Sequence, residues 1–109
     1  MNNNINVVYH FNLAANRTSQ DFIEADQPIA ALLKAQTGFH YRSIAQCEDG
    51  SWLDSVFWED AASAQAAMHV FNSSTHAEAF MKCIDLDSVK RFEGVIAAYA
   101  MNDSVSETA

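Results

Sequence analysis

Residues 37–80 read TGFHYRSIAQCEDGSWLDSVFWEDAASAQAAMHVFNSSTHAEAF, and this stretch decides the fold. It divides into a strand, a tight turn, a second strand and a helix. Asp49-Gly50 lies between two runs rich in β-branched and aromatic residues, which is a hairpin signal. Asp60 follows Phe57-Trp58-Glu59 and precedes an alanine-rich run. Its carboxylate can accept hydrogen bonds from the free N–H groups of a helix's first turn.

Working outward, residues 5–13 (INVVYHFNL) alternate as a strand. Ile5, Val7, Tyr9, Phe11 and Leu13 fall on one face, and Asn6, Val8, His10 and Asn12 on the other. Thr18 offers an N-cap with Asp21 in capping-box position, and Phe22, Ala25, Ile29, Leu32 and Leu33 then recur at helical spacing. Pro28, the single proline, removes a helix hydrogen bond and predicts a kink or restart near Asp26-Gln27. Gly38 predicts the release of that helix into a strand over residues 39–47. On this strand Phe39, Tyr41, Ser43 and Ala45 share one face, and His40, Arg42, Ile44 and Gln46 the other. Residues 52–58 alternate Trp52, Asp54, Val56 and Trp58 against Leu53, Ser55 and Phe57. The helix after Asp60 fades at residues 72–74, and a short third helix follows with Thr75 as cap and Glu78 at the matching box position. A polar connection over 83–90 leads to a fourth strand over 91–101, and residues 102–109 read as a frayed tail.

The order is β-α-β-β-α-(α)-β, an α+β arrangement of the split βαβ type, with helices on one face of an antiparallel sheet. At 109 residues the chain is one domain, spanning 1–101, and long enough for one core. Its net charge of −8 and pI near 4.6 repel phosphate backbones and anionic membranes. Nucleic acid is therefore not an expected partner, and no apolar run approaches a membrane span. MNNNIN shows no basic residue leading into an apolar block, so no signal peptide is expected. Cys47 and Cys83 lack CxxC or Cys/His ligand spacing, which favours free thiols and a cytoplasmic location. Helices can cover only one face of the sheet. The other, expected to bear Val8, Ile44, Val56 and either Trp52 or Trp58, is too apolar for a monomer, and a homodimer would bury it.

The element order, Thr37-Gly38-Phe39 at the entry to the second strand, and Phe57-Trp58-Glu59-Asp60-Ala61 running into a helix resemble the antibiotic biosynthesis monooxygenase-like family. Thr75-His76-Ala77-Glu78-Ala79-Phe80 is similar to that family's His-x-x-x-Phe pattern. The resemblance covers about residues 5–101. It implies a dimeric α+β barrel of two ferredoxin-like protomers joined sheet to sheet. It also implies one of several activities, among them cofactor-independent oxygenation of aromatic polyketides and quinols, and haem degradation. The haem-degrading branch uses an asparagine on the first strand, here Asn12, with a tryptophan and a histidine on the second helical region. Here that region holds His69 and His76 but no tryptophan, so the match to that branch breaks.

The leading expectation is a cofactor-independent monooxygenase acting on a small aromatic or quinol-type molecule. The alternative is a non-catalytic small-molecule binder on the same dimeric fold. His10, Asn12, His40 and Arg42 share an alternation class and could meet in one cavity, with Asp54 beside them. A histidine there could take a proton from a phenol or enol, while Arg42 or Asn12 held the oxyanion. His40 is the expected base, because Arg42 projects from the same face two residues on. The bland reading is a polar network, Arg42 with Asp54. Trp58, His69 and His76 are candidate pocket residues whose structural roles would be interface anchor, helix surface and cap neighbour. The histidines have no metal-ligand spacing, and no phosphate loop or nucleophile elbow is present, so no metal or cofactor is expected.

Overall fold

A computed structural model describes residues 3–101. Its elements are strand β1 (Ile5–Phe11), helix α1 (Ser19–Lys34), strands β2 (Phe39–Gln46) and β3 (Trp52–Trp58), helices α2 (Ala61–Ser73) and α3 (Thr75–Lys82), a 3-10 turn (Leu86–Ser88) and strand β4 (Lys90–Val95). The strands form one antiparallel sheet in the order β2-β3-β1-β4. This is the α+β, ferredoxin-like arrangement, with the helices packed on one face. No helix among the described residues is long and apolar enough to cross a membrane.

Local chemistry accounts for the element ends. Thr18 and Asp21 form a reciprocal capping box at the start of α1, with hydrogen bonds of 3.0 and 2.9 Å. Asp60 accepts from the Ser63 N–H at 2.8 Å and starts α2. The third helix is capped by Ser74 rather than Thr75, through the His76 N–H at 3.1 Å. Helix α1 runs through Pro28 without restarting, because a proline nine positions in removes one hydrogen bond while packing holds the rest. β4 ends at Val95, six residues short of the expected strand, because its partner β1 begins at Ile5, opposite Val95.

The register assigns the faces. Val7 pairs with Val56, Phe11 with Trp52 and Ile5 with Trp58, so these side chains point together toward the helices. All six are buried. The expectation that Val56, Ile44 and a tryptophan share the outer face with Val8 is therefore corrected. Val8 lies opposite Ser55 and Phe92, on the face turned away from the helices, together with Leu53, Phe57 and Tyr41. The regular β1–β3 pairing carries Val56 and both tryptophans inward, and β2 follows β3 from Tyr41 on, after a register shift between Phe39 and Tyr41. That bulge sets Phe39, Arg42 and Ile44 on the helix-facing side and leaves His40 as the extra residue.

The core has two centres. Phe22 of α1 packs edge-on against Phe11 and Trp52 and tilted against Phe80, with ring centroids 5.1–5.5 Å apart. Ile5, Val7, Val56, Trp58 and Ala67 form the second, where Phe39 meets the Trp58 ring edge-on at 5.6 Å. Cys47 and Cys83 are both free thiols, the latter buried.

Gly38 joins the two halves. Helix α1 closes at Ala35, and three residues later Gly38 takes a φ of +83°, while its carbonyl accepts from the Glu59 N–H at 2.8 Å. A Cβ at this position would collide with the Ser63 side chain. Gly50, at φ +91° in the hairpin turn, has open space around it. Gly38→Ala should therefore cost at least about 2 kcal/mol, backbone strain plus collision. Gly50→Ala should cost only the backbone share of about 1 kcal/mol. Urea unfolding of both variants measures the order.

Candidate functional site

A carboxylate in the sequence Trp52-Leu53-Asp54-Ser55-Val56 faces the helices with Trp52 and Val56, so burial obliges it to find a cation. Arg42 supplies it from the neighbouring strand, one diagonal step away, since Asp54 pairs with Ile44 and Arg42 with Val56. The contact is bidentate: Nε donates to Oδ1 at 3.0 Å and Nη2 to Oδ2 at 2.9 Å. From α1, Asp26 approaches the same Nη2 at 2.7 Å. The side chains of Arg42, Asp54 and Asp26 are only 7%, 10% and 15% exposed. Two carboxylates thus share one guanidinium between helix and sheet.

Burial pushes the Asp54 carboxyl above the usual carboxylate range. Arg42 pulls against that through its hydrogen bonds and charge, while the Asp26 charge adds to the rise. Arg42 is held above its ordinary value because its hydrogen bonds and attraction to Asp54, then Asp26, together outweigh desolvation. The outcome is a carboxylate more basic than a solvated one, with burial outweighing the pull of Arg42.

Beside the triad lies a cavity of about 570 Å³ between sheet and helices. That is the size of a small-molecule site. Phe11, Leu33, Val56, Trp58, Phe71 and Phe80 supply apolar wall, and Arg42 and Asp54 line it as polar groups. Gln65 and Asn72 of α2, Tyr9 of β1 and Arg91 and Glu93 of β4 add further polar lining. Arg91 is already engaged, pairing with Glu93 at 2.7 Å, donating to the Tyr9 hydroxyl at 3.3 Å and lying 5.9 Å from the centroid of its ring.

Of the residues expected at the site, Arg42 and Trp58 line this cavity. The others lie elsewhere. His40 is the exposed extra residue of the β2 bulge, so it and Arg42 do not share a face as simple alternation predicts. His10 points to the outer face, with Nε2 2.9 Å from the Ser51 hydroxyl, which donates to Asp49 at 2.5 Å. Asn12 is exposed beyond the end of β1, where its backbone bonds Ser88 and Asp85. His69 is exposed on α2, beside a shallow depression with Val70 and Thr75, and His76 is exposed in the first turn of α3. Asp26 was not expected at all. Nothing in its helix marks it, whereas Asp54 was legible as a charge alternating with Trp52 and Val56 and as a candidate partner of Arg42.

Removing one partner of a buried ion pair strands the rest, so Arg42→Met should cost about 3–5 kcal/mol. Replacing all three with apolar residues (Asp26→Leu, Arg42→Met, Asp54→Leu) should recover most of that. The raised Asp54 also has a pH signature. Between its unfolded value, about 3.9, and its folded one, the native state binds more protons, so this group's contribution to stability falls as pH rises through that window. Urea unfolding against pH should show this slope in wild type minus Asp54→Asn. Its absence would contradict the assignment.

No protein-family model and no curated protein sequence matches the chain. Solved structures do. The cofactor-independent oxygenase SnoaB from Streptomyces nogalater matches at a TM-score of 0.63 and 17% identity, covering 91% of this chain and 96% of its own. A "Putative antibiotic biosynthesis monooxygenase" from Bordetella bronchiseptica matches at 0.73 and 11% identity, covering 88% and 99%. A conserved protein from Methanosarcina mazei Go1 matches at 0.68 and 14%, covering 84% and 91%. At these identities the likeness is one of architecture, and the chain has the ferredoxin-like α+β fold of the antibiotic biosynthesis monooxygenases.

Proposed function

We propose that the chain is a cofactor-independent oxygenase of a small aromatic or quinol-type compound bound between sheet and helices. The observation that carries this is Asp54, a buried carboxylate at the wall of a mostly apolar cavity of about 570 Å³. Protein interiors hold few voids larger than a water molecule, and a cavity of this size is in the range of small-molecule sites. An aromatic ring fits walls of Trp58, Phe71 and Phe80, and Asp54 would accept its acidic proton. The resulting carbanion reacts with molecular oxygen: a C–O bond forms, the peroxide O–O bond breaks, and water leaves. A ring CH2 plus O2 thus becomes C=O plus H2O, with all electrons drawn from the substrate. The likeness to SnoaB supports the reading at the level of fold.

A second reading rests on a specific observation. Both Asp54 oxygens already accept from Arg42, which weakens the carboxylate as a base and suits a binder that anchors a hydroxyl without turnover. Oxygen uptake separates the two. With anthrone- and quinol-type compounds and no added flavin or metal, wild type should consume oxygen. Asp54→Asn should lose at least ~100-fold in rate, and His40→Ala should keep its rate. Uptake lost in His40→Ala and retained in Asp54→Asn would return the base to the bulge. Binding with no uptake across the panel would establish the binder.

We also infer that the chain self-associates through the outer sheet face. Tyr41 and Phe57 pack there with tilted rings, centroids 5.9 Å apart, Val8 and Leu53 lie beside them, and Phe92 is 58% exposed. No described helix covers these side chains, and an apolar patch of this kind marks a contact surface. Light scattering should give twice the 12.1 kDa chain mass. Phe57→Glu should halve it with the fold intact, whereas Val56→Asp, on the buried face, should unfold the chain. A wild-type mass of one chain would refute the inference.

A further inference from the structure

Resting on the reading that the cavity holds a small ring compound, we propose that Asp26 decides which rings it admits. By pairing Arg42 from the α1 side, Asp26 gives the polar wall a net negative charge. The cavity then takes neutral rings that offer an O–H or N–H donor and rejects ring carboxylates.

The geometry is specific. Without Asp26, Arg42 and Asp54 would form a neutral pair, and a guanidinium with uncommitted donors readily holds a ligand carboxylate. With Asp26 2.7 Å from Nη2, the guanidinium is shared by two carboxylates, and the three groups sum to one negative charge. A ligand carboxylate at this wall would be a third anion around one cation, in a setting too buried for water to screen it. A hydroxyl or ring N–H instead donates into Asp54, which retains lone pairs beyond those facing Arg42.

The remaining groups around the cavity do not offset this charge. Arg91 and Glu93 of β4 neutralise each other at 2.7 Å, and Arg91 also donates to the Tyr9 hydroxyl of β1. From α2 come Gln65 and Asn72, both neutral, and from α3 only Phe80 and Met81. Asp26 does not line the cavity. It is a positioning residue, acting on the ligand through Arg42.

The test is calorimetric titration of the full chain at neutral pH with 2-naphthol and 2-naphthoate, rings of one size that differ in charge. Wild type should bind the naphthol at least ~30-fold more tightly. Asp26→Asn should narrow the ratio to about 3-fold or less, chiefly because naphthoate gains as Arg42 is released. Asp26→Glu, which keeps the charge, should retain the wild-type preference, an outcome that a merely structural role would not produce. Asp26→Ser removes the charge with less bulk and serves if the Asn variant fails to fold. A wild-type ratio near one, a preference unchanged without the charge, or no binding of either probe would overturn the proposal. The oxygenase reading fails separately, on oxygen uptake, so a charge-dependent ratio with no uptake would leave this inference standing.

Discussion

One guanidinium between two carboxylates ties the layers of this protein together. Arg42 stands on β2, Asp54 on β3 and Asp26 on α1, so a single buried cation links two strands to the helix above them. Such a link is costly to assemble, since three charges leave water, and costlier to leave incomplete. It also divides the interior. The core centred on Phe22 and that centred on Trp58 meet where Tyr9 and Leu33 touch both, and the cavity lies across them. The charged group and the apolar cavity are therefore one construction, and its chemistry follows from what the ion pair leaves free.

Much of the frame was legible because it is written locally. Alternation in residues 5–11 and 52–58, the Asp49-Gly50 turn and the caps at Thr18 and Asp60 each depend on neighbours within a few positions. What failed depends on distance. Alternation alone cannot show which face of β2 joins which face of β3, and one bulge at Phe39–Tyr41 was enough to move Arg42 away from His40. Nor can alternation show which face of β3 turns to the helices: Val56, expected outside, is 5% exposed beneath them because it pairs with Val7. The end of β4 was set by the start of β1, a partner that composition does not name.

The site was half legible for a related reason. A carboxylate alternating with Trp52 and Val56 announces itself, so the pairing of Asp54 with Arg42 could be read from the strand pattern, although the face it lies on could not. Histidine announces chemistry but not position. All four lie outside the cavity: two on helix surfaces, one on the outer sheet face and one on a bulge. Asp26 sits on a helix among other polar residues, and only the folded packing of α1 against β2 gives it a role.

Where a ring compound binds decides what Asp54 and its cavity are for. A crystal structure of the protein with a bound naphthol tests this most directly. The ring should lie between sheet and helices against Trp58, with its oxygen about 3 Å from an Asp54 carboxylate oxygen. A ring seated instead on the outer sheet face near His10, or at the His40 bulge, would contradict it.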